Sequence, residues 1–435
     1  MRSAALFLEI LTLLPIAFVR PIVGVILFSW ISFMSPHQLV FGGVGGELPW
    51  ALLTCLVTLI GYALTREPKR FPVNAITVLI MLFLVMITIT TIFALAPFNA
   101  ALDKYEQIFK VYFFVLVTAA LLTSRERIHA LVWVMAISLA FFGIKGGAFT
   151  LLGGGTYRVW GPPATMIADN NHLATGLLVA MPLMNYLRME SRHAVIRYGF
   201  LAAMALTLLS VLGSYSRGAF LALGAVAVYF WLKTPNKIIS GTLVAVALAA
   251  SIAFMPEHWI DRMHSIGAYE QDTSAQGRLQ IWHVAWVIAT SRPLIGGGFL
   301  ATYFQPVVDQ FVPGVEWRAV HSIWLEVLAE HGFPTFFVWL GINIAGAVYA
   351  RRIIKQASGV PGLEWCVNLA RMAQVSMIAY LTGGTFLSLS YWDYYYTILV
   401  IVGATYEYVK RTVPQALPAS RWTAGVLPAR LALSR

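Results

Sequence analysis

Charge is scarce in this chain. Asp, Glu, Lys and Arg make up 11% of its 435 residues, where soluble domains carry about 25%. That shortage excludes a soluble globular enzyme. Together with 59% hydrophobic residues it leaves an integral membrane protein. Cysteine is scarcer still. Cys55 and Cys366 both fall inside apolar runs, so neither a disulfide framework nor a thiolate metal site is available. There is no Walker loop, Rossmann glycine pattern or HExxH, and no acidic cluster resembling a divalent-cation cage. The expectation is a site without cofactor or metal. The net charge of +11 does not point to nucleic acid, because the basic residues sit in short clusters between apolar runs, as membrane orientation requires.

What is abundant is apolar sequence. A crossing needs about 20 apolar residues, and candidate runs cover 4–19, 22–34, 50–64, 75–95, 108–122, 128–152, 173–187, 195–212, 219–232, 238–254, 323–349, 366–389 and 394–409. They predict an all-α polytopic bundle of about twelve crossings, with the first two runs readable as two spans or as one span plus an interfacial piece. The run 4–19 has no small-residue cleavage site after it and reads as retained. Basic clusters at 66–70, 125–127, 188–197, 233–237, 351–355 and 410–435 fall on one side if the spans alternate, which the positive-inside rule makes cytoplasmic. The expected division is an N-terminal bundle (1–254), a large outer loop with amphipathic helices (255–320), C-terminal spans (321–410) and a basic tail (411–435). Glycines at 143, 146, 147 and 153–155 suggest a helix that breaks before the outer face, which is tolerated only beside protein or a wet cavity.

Candidate chemistry gathers on the outer side. The loop carries Arg262, Arg278, Arg292 and Arg318 and ends at His321. A guanidinium binds phosphate oxygens in bidentate fashion, and a neutral imidazole takes a proton from a hydroxyl. Arg217, in the short turn 214–218, reads either as a snorkelling anchor or as a ligand for an anion. Arg278 reads as a stacked structural arginine or an anion clamp. Ser274 is placed to cap its helix, and with Trp282 and Trp286 Arg278 shares one face of a helix expected to lie at the interface. Glu326 and Glu330 are about 140° and 180° around the helix from His321 and read as residues that hold other helices. Lys145, buried in an apolar run, is a functional candidate by its cost. Arg158 lies in an aromatic loop suited to sugar, and Asp169–His172 is either a polar site or a helix N-cap.

Ser216-Arg217-Gly218, Gly277-Arg278 with Trp282, and His321 with Glu326 and Glu330-His331-Gly332 together resemble the bacterial O-antigen ligase family, which includes O-antigen polymerases and protein O-oligosaccharyltransferases. The similarity is strongest over 173–348. Arg20-Pro21, Trp30, Ser35-Pro36-His37 and Phe71-Pro72 look like the exosortase-associated O-glycosylation ligase branch. The resemblance implies about twelve helices with a large late periplasmic loop. It implies an inner-membrane enzyme that moves a glycan from undecaprenyl diphosphate to a lipid A-core hydroxyl. It also implies that Arg217, Arg278 and His321 are the catalytic set; Arg158, Lys145, Arg318, His172 and Trp282 are the substrate-binding candidates beside them. The expected partners are the lipid-linked donor, the lipid A-core acceptor and membrane lipid. The rival class is a transporter or flippase for a lipid-linked sugar.

Overall fold

Runs that are apolar on every side become helices, since a helix satisfies its own backbone polar groups without water. The computed structural model describes residues 2–39, 48–66, 69, 71–234, 236–264 and 273–413. Residues 414–435 of the expected basic tail, 40–47 of the first outer loop, 265–272 of the long loop and Arg70 lie outside the described residues, as do the side chains of Arg262 and Ser274. Among the described residues every regular element is helical. In order they are α1 (Arg2–Val19), α2 (Pro21–Met34), α3 (Trp50–Leu64), α4 (Ala75–Ile92), α5 (Phe98–Leu121), α6 (Arg125–Leu152), α7 (Asn170–Glu190) and α8 (Ala194–Gly213). Next come α9 (Arg217–Lys233), α10 (Lys237–Phe254), α11 (Glu257–His264), α12 (Thr273–Ser291), α13 (Gln305–Phe311), α14 (Ile323–Ala357), α15 (Glu364–Gly384) and α16 (Asp393–Thr412). Four of these, α4, α6, α8 and α14, are long and apolar enough to cross a membrane, and 6–19, 21–34 and 50–64 are shorter apolar helices. The two N-terminal runs are two helices that meet at Arg20 and pack on each other.

α6 does not break at its glycines. It runs unbroken to Leu152 and packs along α8. A Cβ at Gly143 would strike Thr207 Oγ1, one at Gly146 Ser210 Oγ, and one at Gly147 the Leu206 carbonyl. The glycines are a seam that lets two helices approach closely, as small residues do in membranes. Lys145 lies off that seam, exposed beside Ile144 and Phe149. The buried lysine read from the sequence is therefore an outward-facing one, because an apolar run does not show which of its faces meets protein.

α14 differs more. Its apolar pattern continues through 323–349, yet Gly332 has φ 75° and ψ 178° and interrupts the helix. On an unbroken helix Trp324 and Trp339 would be about 22 Å apart, whereas their ring centroids are 5.2 Å apart. The chain therefore turns back on itself at Gly332. The segment 293–298 fills the corner. Gly297 N donates to Ala329 O (2.8 Å), Gly298 N to Glu330 O (2.7 Å), and Phe333 N to Pro293 O (2.8 Å). The break thus leaves these carbonyls satisfied by a neighbouring loop, the condition for irregular backbone inside a bundle.

The described part of the long loop is packed protein. α12 buries Ile281, Val284, Ala285 and Ile288 and packs on α14, so it does not lie at the interface as expected. Trp286 is 50% exposed, while Trp282 turns inward. α11 is amphipathic: Trp259 is buried and donates to Leu212 O (3.0 Å), with Glu257 and Asp261 outward.

Candidate active site

Several outer helix ends meet at the end of the bundle opposite the basic connections, and side chains tie them to one another. Asn170, at the head of α7, donates to Ser214 O (2.6 Å), which ties α7 to the turn that carries Arg217. Ser216 caps α9 by accepting from Ala219 N (3.2 Å), so Arg217 opens that helix, where the partial positive charge of the N-terminus adds to its own. Phe386, in the turn between α15 and α16, lies over Gly218 and stacks with Trp282 at 6.4 Å.

That turn, 385–390, holds the segment around His321. Ser388 Oγ accepts from His321 N (3.0 Å). Ser390 Oγ donates to Ile323 O (3.2 Å) and to the Glu326 carboxylate. Trp282 Nε1 donates to Val320 O (2.8 Å). These anchors hold His321 at φ 51°, the left-handed region that costs a non-glycine residue about 1–2 kcal/mol. Residues kept in such conformations by their surroundings cluster at functional sites. Glu330 accepts from Leu300 N (2.9 Å) and Tyr391 Oη (2.6 Å). Both glutamates therefore brace other segments; the angle read around the helix from His321 does not account for this, since His321 lies before the helix begins.

The His321 ring borders a cavity of ≈ 230 Å³ lined also by Arg278, Glu316, Trp317 and Arg318. Arg318 pairs with Glu316, and its guanidinium lies against Gly277, where a Cβ would collide with it. A side chain at 277 would thus displace the Arg318 guanidinium. Burial lowers the His321 imidazole to about 4, helped first by Arg278 and then by His172 and Arg318; Asp169 pulls weakly the other way. The ring is therefore neutral at ordinary pH. Its Nδ1 is buried with no hydrogen-bond partner among the described residues, unusual for a buried polar atom.

His172 joins this group: its ring centroid is 6.4 Å from that of His321. Asp169 caps α7 through Asn171 N (2.8 Å) and His172 N (3.4 Å) and contacts His172 Nδ1 at 3.2 Å. Burial alone would raise the Asp169 carboxyl, but hydrogen bonds from His172 and Asn171 outweigh it and hold it well below the usual carboxylate range. The cap and the polar site are thus one feature.

The remaining candidates stand apart from this cavity. Arg217 is not among its lining residues and sits beyond Phe386. Arg158 is exposed and lies at 5.8 Å over the ring of Tyr215, which precedes Arg217 in the same turn. Arg292 donates to Phe93 O (2.9 Å). Lys145 faces outward on α6. Sequence reasoning misses Ser388, Ser390 and Tyr391. The signal for them is two serines spaced two apart just before the aromatic start of α16.

Residues 1–192 match the model of a family of unknown function (DUF5935), and residues 202–340 match the model described as O-antigen ligase. No curated protein compared with the chain matches it. The second match spans Arg217, Arg278, Arg318 and His321, the residues whose surroundings have just been described. Over that segment the chain is similar to the O-antigen ligase family, whose members are glycosyltransferase-like enzymes.

Proposed function

We propose that this protein is an O-antigen ligase that transfers a glycan from undecaprenyl diphosphate to a hydroxyl of lipid A-core at the periplasmic face of the inner membrane. The observation that carries the reading is a neutral, strained His321 bordering the same cavity as Arg278 and Arg318. The neutral imidazole of His321 takes the acceptor's hydroxyl proton at the cavity. The oxygen forms a bond to the anomeric carbon as the carbon–oxygen bond to the diphosphate breaks. The diphosphate leaves with that electron pair. Direct displacement from the opposite face inverts the anomeric configuration.

Arg278 and Arg318 take the developing charge at the cavity, and preorganised cations of this kind are worth most where water is excluded. Arg217 and the N-terminus of α9 take the diphosphate from the other side of Phe386. His172 and Trp282 complete the acceptor side, and Arg158 meets the glycan. Lys145, facing outward, keeps only a role at the membrane lipid.

Purified protein with lipid-linked glycan and lipid A-core tests this directly. His321→Ala abolishes transfer at normal expression, and Arg278→Lys loses most of it because a lysine cannot bind in bidentate fashion. Normal product from the His321 variant would remove the base from the mechanism. The break in α14 favours a second reading, since discontinuous helices mark transporters. Here the corner at Gly332 is filled by 293–298 rather than lining a path. Donor crossing sealed vesicles with no product on acceptor would establish the transporter instead.

A further inference from the structure

A cavity of ≈ 490 Å³ lies between α9, α14 and α15, apart from the site above. Leu340, Ile344 and Ala347 of α14 and Met377 and Leu381 of α15 give it apolar walls. Positions 340 to 355 of α14 cover about 22 Å of helix, much of a hydrocarbon layer of about 30 Å. Its polar groups midway are spent within the protein: Asn343 donates to Trp339 O (2.8 Å) and accepts from Tyr395 Oη (2.6 Å), and Tyr229 Oη donates to Gln374 Oε1 (3.1 Å).

The end of the groove differs. Lys233, Arg351 and Lys355 line it together. None of the three pairs with a carboxylate among the described residues, and Lys233 Nζ rests over the Tyr229 ring at 5.8 Å. Orientation in the membrane needs basic residues only somewhere in the connections. Arg351 and Lys355 instead continue the helical row 340, 344, 347 that faces the groove. A polyprenyl chain entering from the outer end would bring hydrocarbon to these cations and no charge.

We propose that the groove binds one anionic glycerophospholipid from the leaflet at the basic face, its phosphate among Lys233, Arg351 and Lys355 and one acyl chain along Ala347 toward Trp324. Trp324 closes the outer end, donates to Thr385 Oγ1 (3.0 Å) and meets Trp339 edge-on. The lipid therefore supports the folded-back segment of α14 that follows His321. This inference stands on the groove alone and holds whatever reaction the outer site performs.

Native mass spectrometry of the purified full chain, titrated with phosphatidylglycerol or phosphatidylcholine of matched chains, tests it. The wild type retains one phosphatidylglycerol and prefers it. The Lys233→Gln/Arg351→Gln/Lys355→Gln variant loses about fivefold of that preference per charge removed. Ala347→Trp fills the groove without touching the charges and removes the retained lipid. Arg192→Gln/Arg197→Gln, altering residues of the same basic face outside the groove, leaves the preference intact. Equal retention of both lipids by the wild type overturns the proposal, as does an equal loss in the Arg192/Arg197 variant. Should the triple variant fail to fold, unchanged retention in both Ala347→Trp and Arg351→Gln overturns it.

Discussion

Replacing Gly332 with alanine tests the corner that positions the outer site. Gly332 has φ 75° and ψ 178°, a conformation open essentially to glycine and costing other residues about 1–3 kcal/mol. The added Cβ would stand 2.6 Å from Pro293 O, 2.8 Å from the Leu294 carbonyl carbon and 2.9 Å from Ile295 N. All three are backbone atoms, so no rotamer relieves the collision and the 293–298 segment must move. Moving it weakens the bonds from Gly297 N to Ala329 O and from Gly298 N to Glu330 O, at about 1 kcal/mol each. Strain and lost bonds together come to about 4 kcal/mol. Gly359 provides the comparison. It too has positive φ, at 80°, but a Cβ there meets nothing within 4 Å, so Gly359→Ala costs about 1–2 kcal/mol of backbone strain. Thermal unfolding of the two purified variants, with glycan transfer measured in parallel, decides the matter. Gly332→Ala loses far more stability and most of its transfer. Equal stability of the two variants would refute the corner's role.

Three further outcomes follow from the outer site. His321 is held neutral down to about 4 instead of the ordinary 6.5, so the acid limb of kcat/KM for the donor, which reports the free protein, lies near that lower value; a limb at 6.5 in that profile would contradict its buried setting. The same depression means that between 6.5 and 4 the unfolded chain binds a proton the folded one does not. This group's contribution to stability is therefore complete above the ordinary value and declines as pH falls toward the depressed one, which unfolding at several pH values measures. Ser388→Ala removes the acceptor for His321 N and frees the strained backbone. Turnover falls about tenfold or more, about 1.4 kcal/mol being worth a factor of ten, with the donor's KM little changed; Ser388→Thr, which keeps the hydroxyl, restores turnover. Transfer by protein treated with a chelator continues at its full rate, because arginines supply the charge, and a loss restored by magnesium would contradict this.

Much of the architecture is legible in the residues. Most of the apolar runs from 50 to 254 and from 366 to 409 become helices with ends close to those expected, because a continuous run of apolar residues in lipid has few alternatives; α5 differs, beginning at Phe98 rather than 108, and α15 ends at Gly384 rather than 389. Arg278, Arg318 and His321 stand out by chemistry, as polar groups at the mouth of an apolar run. The misreadings share one cause. In a membrane both the lipid-facing and the protein-facing sides of a helix are apolar, so periodicity does not separate them. Lys145 thus reads as buried when it faces out, and Gly143, Gly146 and Gly147 read as a break when they are a contact. The corner in α14 does leave a trace, since Gly332 followed by Pro334 is a helix-stop pattern, but the apolar run continuing to Tyr349 hides it. The role of 385–390 is not legible, because its serines act through bonds to residues more than 60 positions away.

The depth of His321 follows from the fold-back and bears on its chemistry. Ser390 Oγ reaches Ile323 O, Tyr396 Oη reaches Ser390 O (2.6 Å), and Trp339 Nε1 reaches Tyr396 Oη (2.8 Å). His321 is therefore level with Trp339, seven residues along the helix from the corner and about 10 Å below it. The imidazole itself is largely buried there, which strengthens the charge interactions it feels. Arg278 and Arg318 both lower the proton affinity of His321. On the proposed reading, a diphosphate bound beside them would cancel part of that effect and make His321 a stronger base. On that reading the arrangement would couple proton removal from the acceptor to the presence of the donor, with no moving part required. Without an anion there, burial, helped by the same cations, keeps the imidazole neutral and weakly basic. A base restrained in this way gains strength only when there is a leaving group for the attacking oxygen to displace.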